Sequence, residues 1–326
     1  MDNSLETDII AGMDIYPLKF QPIYKERIWG GQKLWSFFGK ELPADKKIGE
    51  SWELADVGED KSVIINGTLA GETIDSAIEK LGEAITGNAD YQPPFPLLIK
   101  ILDAQDVLSV QVHPDGVTCH RTGRGEPKTE CWYIIDAVGD AVIYKGLKDG
   151  TTKQDFIKAI KAGKSDKLLN RVAVRPGQCH FLPAGTAHAI GAGLLIAEIQ
   201  TPSDTTYRVF DWNRVDDSGK GRQLHIEDAL ESIHFDQDPD DLVVATKGRL
   251  VDSDMFKVDK GRGQIGGIVQ ITPGQMKVFI ILDGTGQINF AGESVNFKKG
   301  ETILSPAALN ATMAFNELSQ YLMVTV

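Results

Sequence analysis

"RPGQCHFLPAGTAHA" (175–189) can be laid on "KKGETILSPAALNAT" (298–312) without a gap. Gly177 then meets Gly300, Pro183 meets Pro306 and Ala184 meets Ala307. A hairpin-like segment lies upstream of each copy, "ECWYIIDAVGDAVIYKG" in the first and "VFIILDGTGQINFAG" in the second. Such a repeat implies two copies of one β unit. Most of the remaining chain reads as short strands broken by Gly, Pro and Asp, such as "PLLIKILDA", "VLSVQVH", "LLIAEIQ" and "YRVFDW". Helical spacing is confined to 72–85, 152–163 and 226–233. No βαβ alternation appears, so the expected class is mainly β, a sandwich or barrel with a few helical insertions, and not a doubly wound sheet. The copies differ where chemistry is concerned. His188 of the first falls on Ala311 of the second. One unit reads as equipped for chemistry and the other as packing.

Bulk properties narrow the function classes. The 326 residues carry a net charge of −12, which argues against nonspecific nucleic-acid binding. An anionic ligand would need a local basic cluster working against that field. Three cysteines, Cys119, Cys131 and Cys179, form no CxxC pair and no even framework, as expected in a reducing cytoplasm. The opening "MDNSLETDIIAG" is acidic and lacks the features of a signal peptide, and no apolar stretch is long enough for a membrane span.

The stretch "SVQVHPDG" (109–116) carries the first chemical signal. Successive side chains of a strand point to opposite faces, so Ser109, Gln111 and His113 share one face and Leu108, Val110 and Val112 the other. In "KTECWY", alternation likewise puts Lys128, Glu130 and Trp132 together, with Cys131 opposite. Adding His188 of "PAGTAHAIG" gives two imidazoles, a carboxylate and a side-chain amide on separate strands. Nitrogen and oxygen donors without thiolate suit a catalytic zinc, and equally non-haem iron or manganese. Each residue alone has an ordinary structural reading: a strand-end histidine, a solvated charged face, a turn-capping imidazole. Their convergence favours a metal site. Lys100, inside an otherwise apolar strand, either snorkels to the surface or enters a polar cavity. Arg208 of "TTYRVFDWNR" is a second such cation, and either one could simply pair with Asp103, Asp204 or Asp211. Cys119, His120 and Cys131 match no common zinc spacing. "RTGRGEPK" (121–128) lacks the strand–loop–helix context of a phosphate loop.

"YPLKFQPIYKERIWGG", "IGESWEL", "PFPLLIKILDA", "LSVQVHPD", "KTECWYI", "LPAGTAHAIGAGLLIAEIQ" and "TTYRVFDWNR" run in order over residues 16–214. Together they resemble the type I mannose-6-phosphate isomerases, in their short bacterial class. The resemblance implies two cupin (jelly-roll) β-barrel units and a zinc-dependent aldose–ketose isomerisation. Carried over by motif, it implies one zinc per chain on Gln111, His113, Glu130 and His188, with Arg208 and Lys128 as catalytic residues. Ser109 and Lys100 are then expected to contact the sugar phosphate. The division implied is a leader at 1–14, a catalytic unit at 15–240 and a C-terminal unit at 241–326 without metal ligands. The expected partners are a small sugar phosphate, no nucleic acid and no membrane, in a cytoplasmic monomer or homodimer. The large helical domain of longer family members has no counterpart, and 144–170 is a short insertion instead. Two alternatives keep the same unit: an iron-dependent dioxygenase using His113, Glu130 and His188, or a catalytically silent sugar-phosphate-binding protein.

Overall fold

The computed structural model describes residues 15–215, 219–236 and 244–326. The expected leader at 1–14 and the expected boundary at 240/241 lie outside them. The chain is mainly β, and the first unit is two facing antiparallel sheets. One has seven strands, in the order Val244–Ala245, Cys179–Leu182, Glu130–Ala137, Leu194–Gln200, Leu98–Ala104, Ile48–Leu54 and Ile23–Gly31. The other has five, in the order Leu169–Ala173, Val142–Leu147, His188–Ile190, Val110–Val112 and Tyr207–Phe210. The second unit pairs a six-stranded with a four-stranded sheet in the same way. Neither unit closes its hydrogen bonding into a continuous barrel, so each is an open two-sheet version of the expected jelly roll.

The repeat holds at the level of single bonds. Cys179–Leu182 and Thr302–Ser305 occupy the aligned positions, and the strands beginning at His188 and Ala311 follow in the opposite sheet of each unit. The amide of Gly177 donates to the Ile134 carbonyl and that of Gly300 to the Ile281 carbonyl, both at 2.8 Å. Both glycines have positive φ, +94° and +83°, which explains why the turn keeps Gly in both copies.

The upstream segments are not hairpins. Glu130–Ala137 and Val142–Leu147 lie in different sheets, as do Lys277–Asp283 and Thr285–Phe290. Glu130–Ala137 already has a neighbour on each side, Cys179–Leu182 and Leu194–Gln200, so it has no free edge for the next strand. The chain therefore crosses the sandwich. A second departure concerns Leu108. Pairing starts only at Val110, and Leu108 packs inward with Trp29 and Trp132, away from Val110 and Val112.

The expected helices form at Ile74–Leu81, Lys153–Lys161 and Ile226–Ser232. A helix at Gly116–Thr122 was not expected. Asp115 caps it by accepting from the Thr118 amide at 2.6 Å, a signal legible in "HPDG". Phe156 and Ala229, from two of these helices, cover the outer face of the five-stranded sheet over Val110, Val112 and Val209. The back of the seven-stranded sheet, with Ile99, Ile101, Cys131, Cys179, Ala197 and Ile199, joins one core with Phe279, Ile303 and Leu322 of the second unit. The central strands are consequently buried on both faces. This is why "LLIKILDA" and "LLIAEIQ" read as apolar runs, interrupted only by Lys100 and Asp103 in the first and by the charge of Glu198 and the amide of Gln200 in the second.

Alanine at residue 177 or 300 meets the strain of positive φ, about 1–3 kcal/mol. At residue 300 the new Cβ would also lie 2.9 Å from the Phe38 Cβ, whereas at residue 177 it meets only the flexible Lys260 Nζ at 3.3 Å. Urea unfolding is expected to show a larger loss for Gly300→Ala than for Gly177→Ala. Equal losses would contradict this difference in packing.

Candidate metal centre and active site

Two rows of polar side chains face each other between the sheets of the first unit. On the five-stranded sheet, His188 stands opposite Gln111 and Gln111 opposite Arg208, across three neighbouring strands. On the seven-stranded sheet, His180, Trp132, Glu198, Lys100 and Trp52 align the same way across five strands. Cross-strand register thus assembles groups as far apart in sequence as Trp52 and Glu198, 146 positions.

His113, Glu130 and His188 meet at one end. His113 Nε2 lies 3.3 Å from Glu130 Oε2, and His188 Nε2 lies 3.5 Å from Glu130 Oε1. The two imidazole centroids are 4.8 Å apart. Each ring is oriented from behind. His113 Nδ1–H donates to the Thr205 carbonyl and His188 Nδ1–H to the Thr186 carbonyl, both at 2.8 Å. These bonds place the unprotonated Nε2 of each ring toward the centre.

All three side chains are buried, yet both Nε2 atoms and both Glu130 oxygens make no hydrogen bond among the described residues. Lys128 Nζ sits 2.9 Å from Glu130 Oε2 as an ion pair outside hydrogen-bond geometry. Four converging, desolvated donor atoms without a hydrogen bond, only one of them paired with a charge, are costly unless a cation takes them. The donor atoms of the three residues lie within 4.8 Å of one another, and their chemistry fits a divalent metal ion. Gln111 stands opposite His188 in register and lines the adjoining cavity.

Protonation states agree with that fit. Burial, reinforced by the Lys128 charge, pushes His113 down to about 3, against the pull of Glu130. Burial also lowers His188. Burial opposes ionisation of Glu130, but the Lys128 charge outweighs it and holds the carboxyl well below its usual range. Neutral imidazoles and an ionised carboxylate are the forms that bind metal.

A cavity of about 390 Å³ lies beside this centre, reached through Gln111 and Lys128 and not lined by the three residues themselves; Arg27, Glu50, Lys100, Ser109, Glu198, Asp204, Arg208 and Arg222 are among its other walls. Lys100 enters it and does not snorkel. It is buried, 3.3 Å from Glu198 and 3.5 Å from Asp204, with its ammonium 4.9 Å from the Trp52 ring centroid. Arg208 donates to Ser109 Oγ at 3.3 Å and to the Gln223 carbonyl at 2.9 Å. Asp211 pairs with Arg214 and Arg222 instead of Arg208.

Glu198 and Glu50 were missed in the sequence. Glu198 is the single carboxylate, and Glu50 one of two with Glu53, in a strand buried on both faces, the same kind of signal that exposed Lys100. Burial and the nearby Glu130 charge raise the Glu198 carboxyl, and Trp132 Nε1–H donates to its Oε2 at 3.0 Å. No sequence signal marked Arg27 or Arg222. Cys131 and Cys179 lie on the back of the sheet, away from this centre.

The sequence pattern described as phosphomannose isomerase type I, catalytic domain, matches residues 17–128. Over 312 residues the chain is 39% identical to mannose-6-phosphate isomerase ManA of Bacillus subtilis, covering 91% of this chain and 95% of that protein. The chain belongs to the type I phosphomannose isomerase family. It is thus an enzyme of the isomerase class. It is also 36% identical to a mannose-6-phosphate isomerase of Streptococcus mutans, over 90% of this chain and 94% of that protein. The crystal structure of the Bacillus subtilis mannose 6-phosphate isomerase superposes with a TM-score of 0.83 at 28% identity, covering 95% of this chain and 99% of that one. An Archaeoglobus fulgidus structure described as a putative mannosephosphate isomerase shares the fold at 19% identity, with a TM-score of 0.79, over 96% of this chain and 99% of that one. Within this family match, residues 17–128 contain Gln111 and His113 but stop short of Glu130 and His188.

His180, in the same inner row, provides a pH prediction. Burial, with a smaller push from Lys145, lowers its pKa from 6.5 to about 4. Between those values the unfolded chain binds a proton that the folded chain refuses. The stability this contributes is complete above pH 6.5 and is lost toward pH 4, by roughly 3 kcal/mol at the limit. Denaturant titrations across that window are expected to show a shallower acid decline for His180→Phe than for wild type. Identical slopes would contradict this.

Proposed function

We propose that this chain interconverts mannose 6-phosphate and fructose 6-phosphate through a cis-enediolate, with one zinc ion on Gln111, His113, Glu130 and His188. The observation that carries the reading is the set of four donor atoms without a hydrogen bond among the described residues, beside a cavity lined with cations that Gln111 and Lys128 border. The names of the relatives support the same substrate pair. When bound there, zinc supplies Lewis acidity that polarises the substrate carbonyl and stabilises charge on the enediolate oxygen.

The remaining work falls to the chain's own side chains. The reaction moves a proton between C2 and C1 of one sugar, so one carrier serving both carbons is sufficient. Lys128 takes that role, its Nζ lying in the cavity beside the metal donors. Glu198, 3.9 Å from that nitrogen, exchanges protons with it. Arg208 and Ser109 orient the sugar from the opposite wall, while Trp29, Leu102, Leu108 and Ile190 keep water from one side. All of these groups come from a single chain. The lining cations favour an anionic sugar over the dioxygenase reading. Three unpaired cysteines suit a reducing cytoplasm.

A coupled assay tests this. Turnover of mannose 6-phosphate is expected, abolished by chelator and restored by zinc. Lys128→Met is expected to bind metal normally and turn over at least about 100-fold more slowly. A wild-type rate in that variant would exclude Lys128 as the carrier. No turnover by metal-loaded wild type would overturn the reaction itself.

A further inference from the structure

We propose that Thr129 is a positioning residue of the metal centre, whose hydroxyl and backbone lock together the three chain segments that aim Glu130, His188 and His113. This rests on the metal-dependent reading above.

The sheet ladder ends at Glu130. That residue pairs with Leu182 on one side and with Gln200 on the other, each the last residue of its strand. Beyond this level both neighbours leave the sheet, one toward His188 and the other toward Thr205. Thr129 carries the connection one residue further on both sides. Its Oγ accepts from the Ala184 amide at 3.1 Å. Its amide donates to Thr201 Oγ at 3.2 Å, and its carbonyl accepts from the Thr201 amide at 3.1 Å. Thr129 is itself buried.

Each fixed segment bears on an imidazole. After Ala184, the Gly185 amide donates to the His113 carbonyl at 2.8 Å, and the Thr186 carbonyl accepts from His188 Nδ1–H. After Thr201 the chain reaches Thr205, whose carbonyl accepts from His113 Nδ1–H. Glu130 is one peptide bond from Thr129. The aim of all three ligands is thus referred to a single residue that makes no hydrogen bond to their metal-facing atoms. Groups that orient ligands from behind set metal affinity, because the donors must converge closely on one point.

The second unit provides an internal comparison. Leu182 opposite Glu130 corresponds to Ser305 opposite Lys277, so Thr129 falls on Met276. Met276 has no hydroxyl. Ala307, aligned with Ala184, donates its amide to the Ile85 carbonyl at 2.9 Å instead. The unit without ligands keeps the turn and satisfies its amide from elsewhere. The hydroxyl bond accompanies the chemistry and not the turn.

The test uses the full-length protein, stripped of metal and reloaded, with zinc affinity measured by competition against a chelating dye. Thr129→Val keeps the branched shape and removes the acceptor, Thr129→Ala removes both, and Thr129→Ser keeps the acceptor. Thr129→Val and Thr129→Ala are expected to raise the zinc dissociation constant at least about tenfold, and to shift the visible absorption bands of the cobalt-substituted protein. Thr129→Ser is expected to stay within about threefold of wild type in affinity, with wild-type bands. Ser62→Ala removes a buried hydroxyl that accepts from the Ala55 amide at 2.9 Å, outside this centre. It is expected to lower the melting temperature and move neither metal readout. Zinc affinity within about threefold of wild type in either folded Thr129 variant that lacks the hydroxyl would overturn the proposal. Equal weakening in Thr129→Ser or in Ser62→Ala would also overturn it. Zinc affinity that depends on the Thr129 hydroxyl, in a wild-type protein that does not isomerise, would uphold the positioning role and overturn the isomerase reading. A wild type that binds no zinc would overturn both.

Discussion

Glu130 is an ionised carboxylate held 1% exposed between two sheets, with two imidazoles and an ammonium as its immediate neighbours. Isolated, such a charge would cost several kcal/mol in desolvation. Its neighbours keep it ionised, but neither oxygen is satisfied as a hydrogen-bond acceptor. The arrangement is electrostatically incomplete within the chain. The carbonyls of Thr205 and Thr186 fix the imidazoles so that their lone pairs meet at the same point. A bound cation would complete the arrangement, joining the stability of the first unit to its chemistry.

The architecture follows from keeping that centre dry and fixed. The seven-stranded sheet carries one row of charged groups inward and packs its other face against the second unit. The five-stranded sheet carries the facing row and is covered outside by helices. Both walls are thereby supported from behind. The second unit, whose aligned position is Ala311, supplies packing to the first through one continuous core. Its conserved turn bond between Gly300 and Ile281 shows the same backbone used without the chemistry.

Much of this was legible because strands impose a period of two. Ser109, Gln111 and His113, and separately Lys128, Glu130 and Trp132, could be placed on inward faces from alternation alone. The gapless repeat made His188 stand out against Ala311. Illegible parts depended on which strands pair. Nothing local in "ECWYIIDAVGDAVIYKG" shows that Glu130–Ala137 has both edges occupied by strands some 40 to 70 positions away, so a crossing looked like a hairpin. Arg27 and Arg222 reach the cavity only through the fold, and no periodicity marks them. Glu198 was legible in principle, as the lone charge in "LLIAEIQ", by the same reasoning that exposed Lys100. The inward turn of Leu108 was not, since it depends on where pairing begins.

The most direct measurement is the thermal unfolding of chelated wild type and chelated Glu130→Ala, each repeated after zinc is added back. If Glu130 and the two imidazoles form an incomplete cation site, zinc at about 100 times its dissociation constant should stabilise wild type by about 2.7 kcal/mol and leave Glu130→Ala nearly unmoved. A wild-type melting temperature unaffected by zinc, or an equal shift in both proteins, would show that this centre is not where the metal binds.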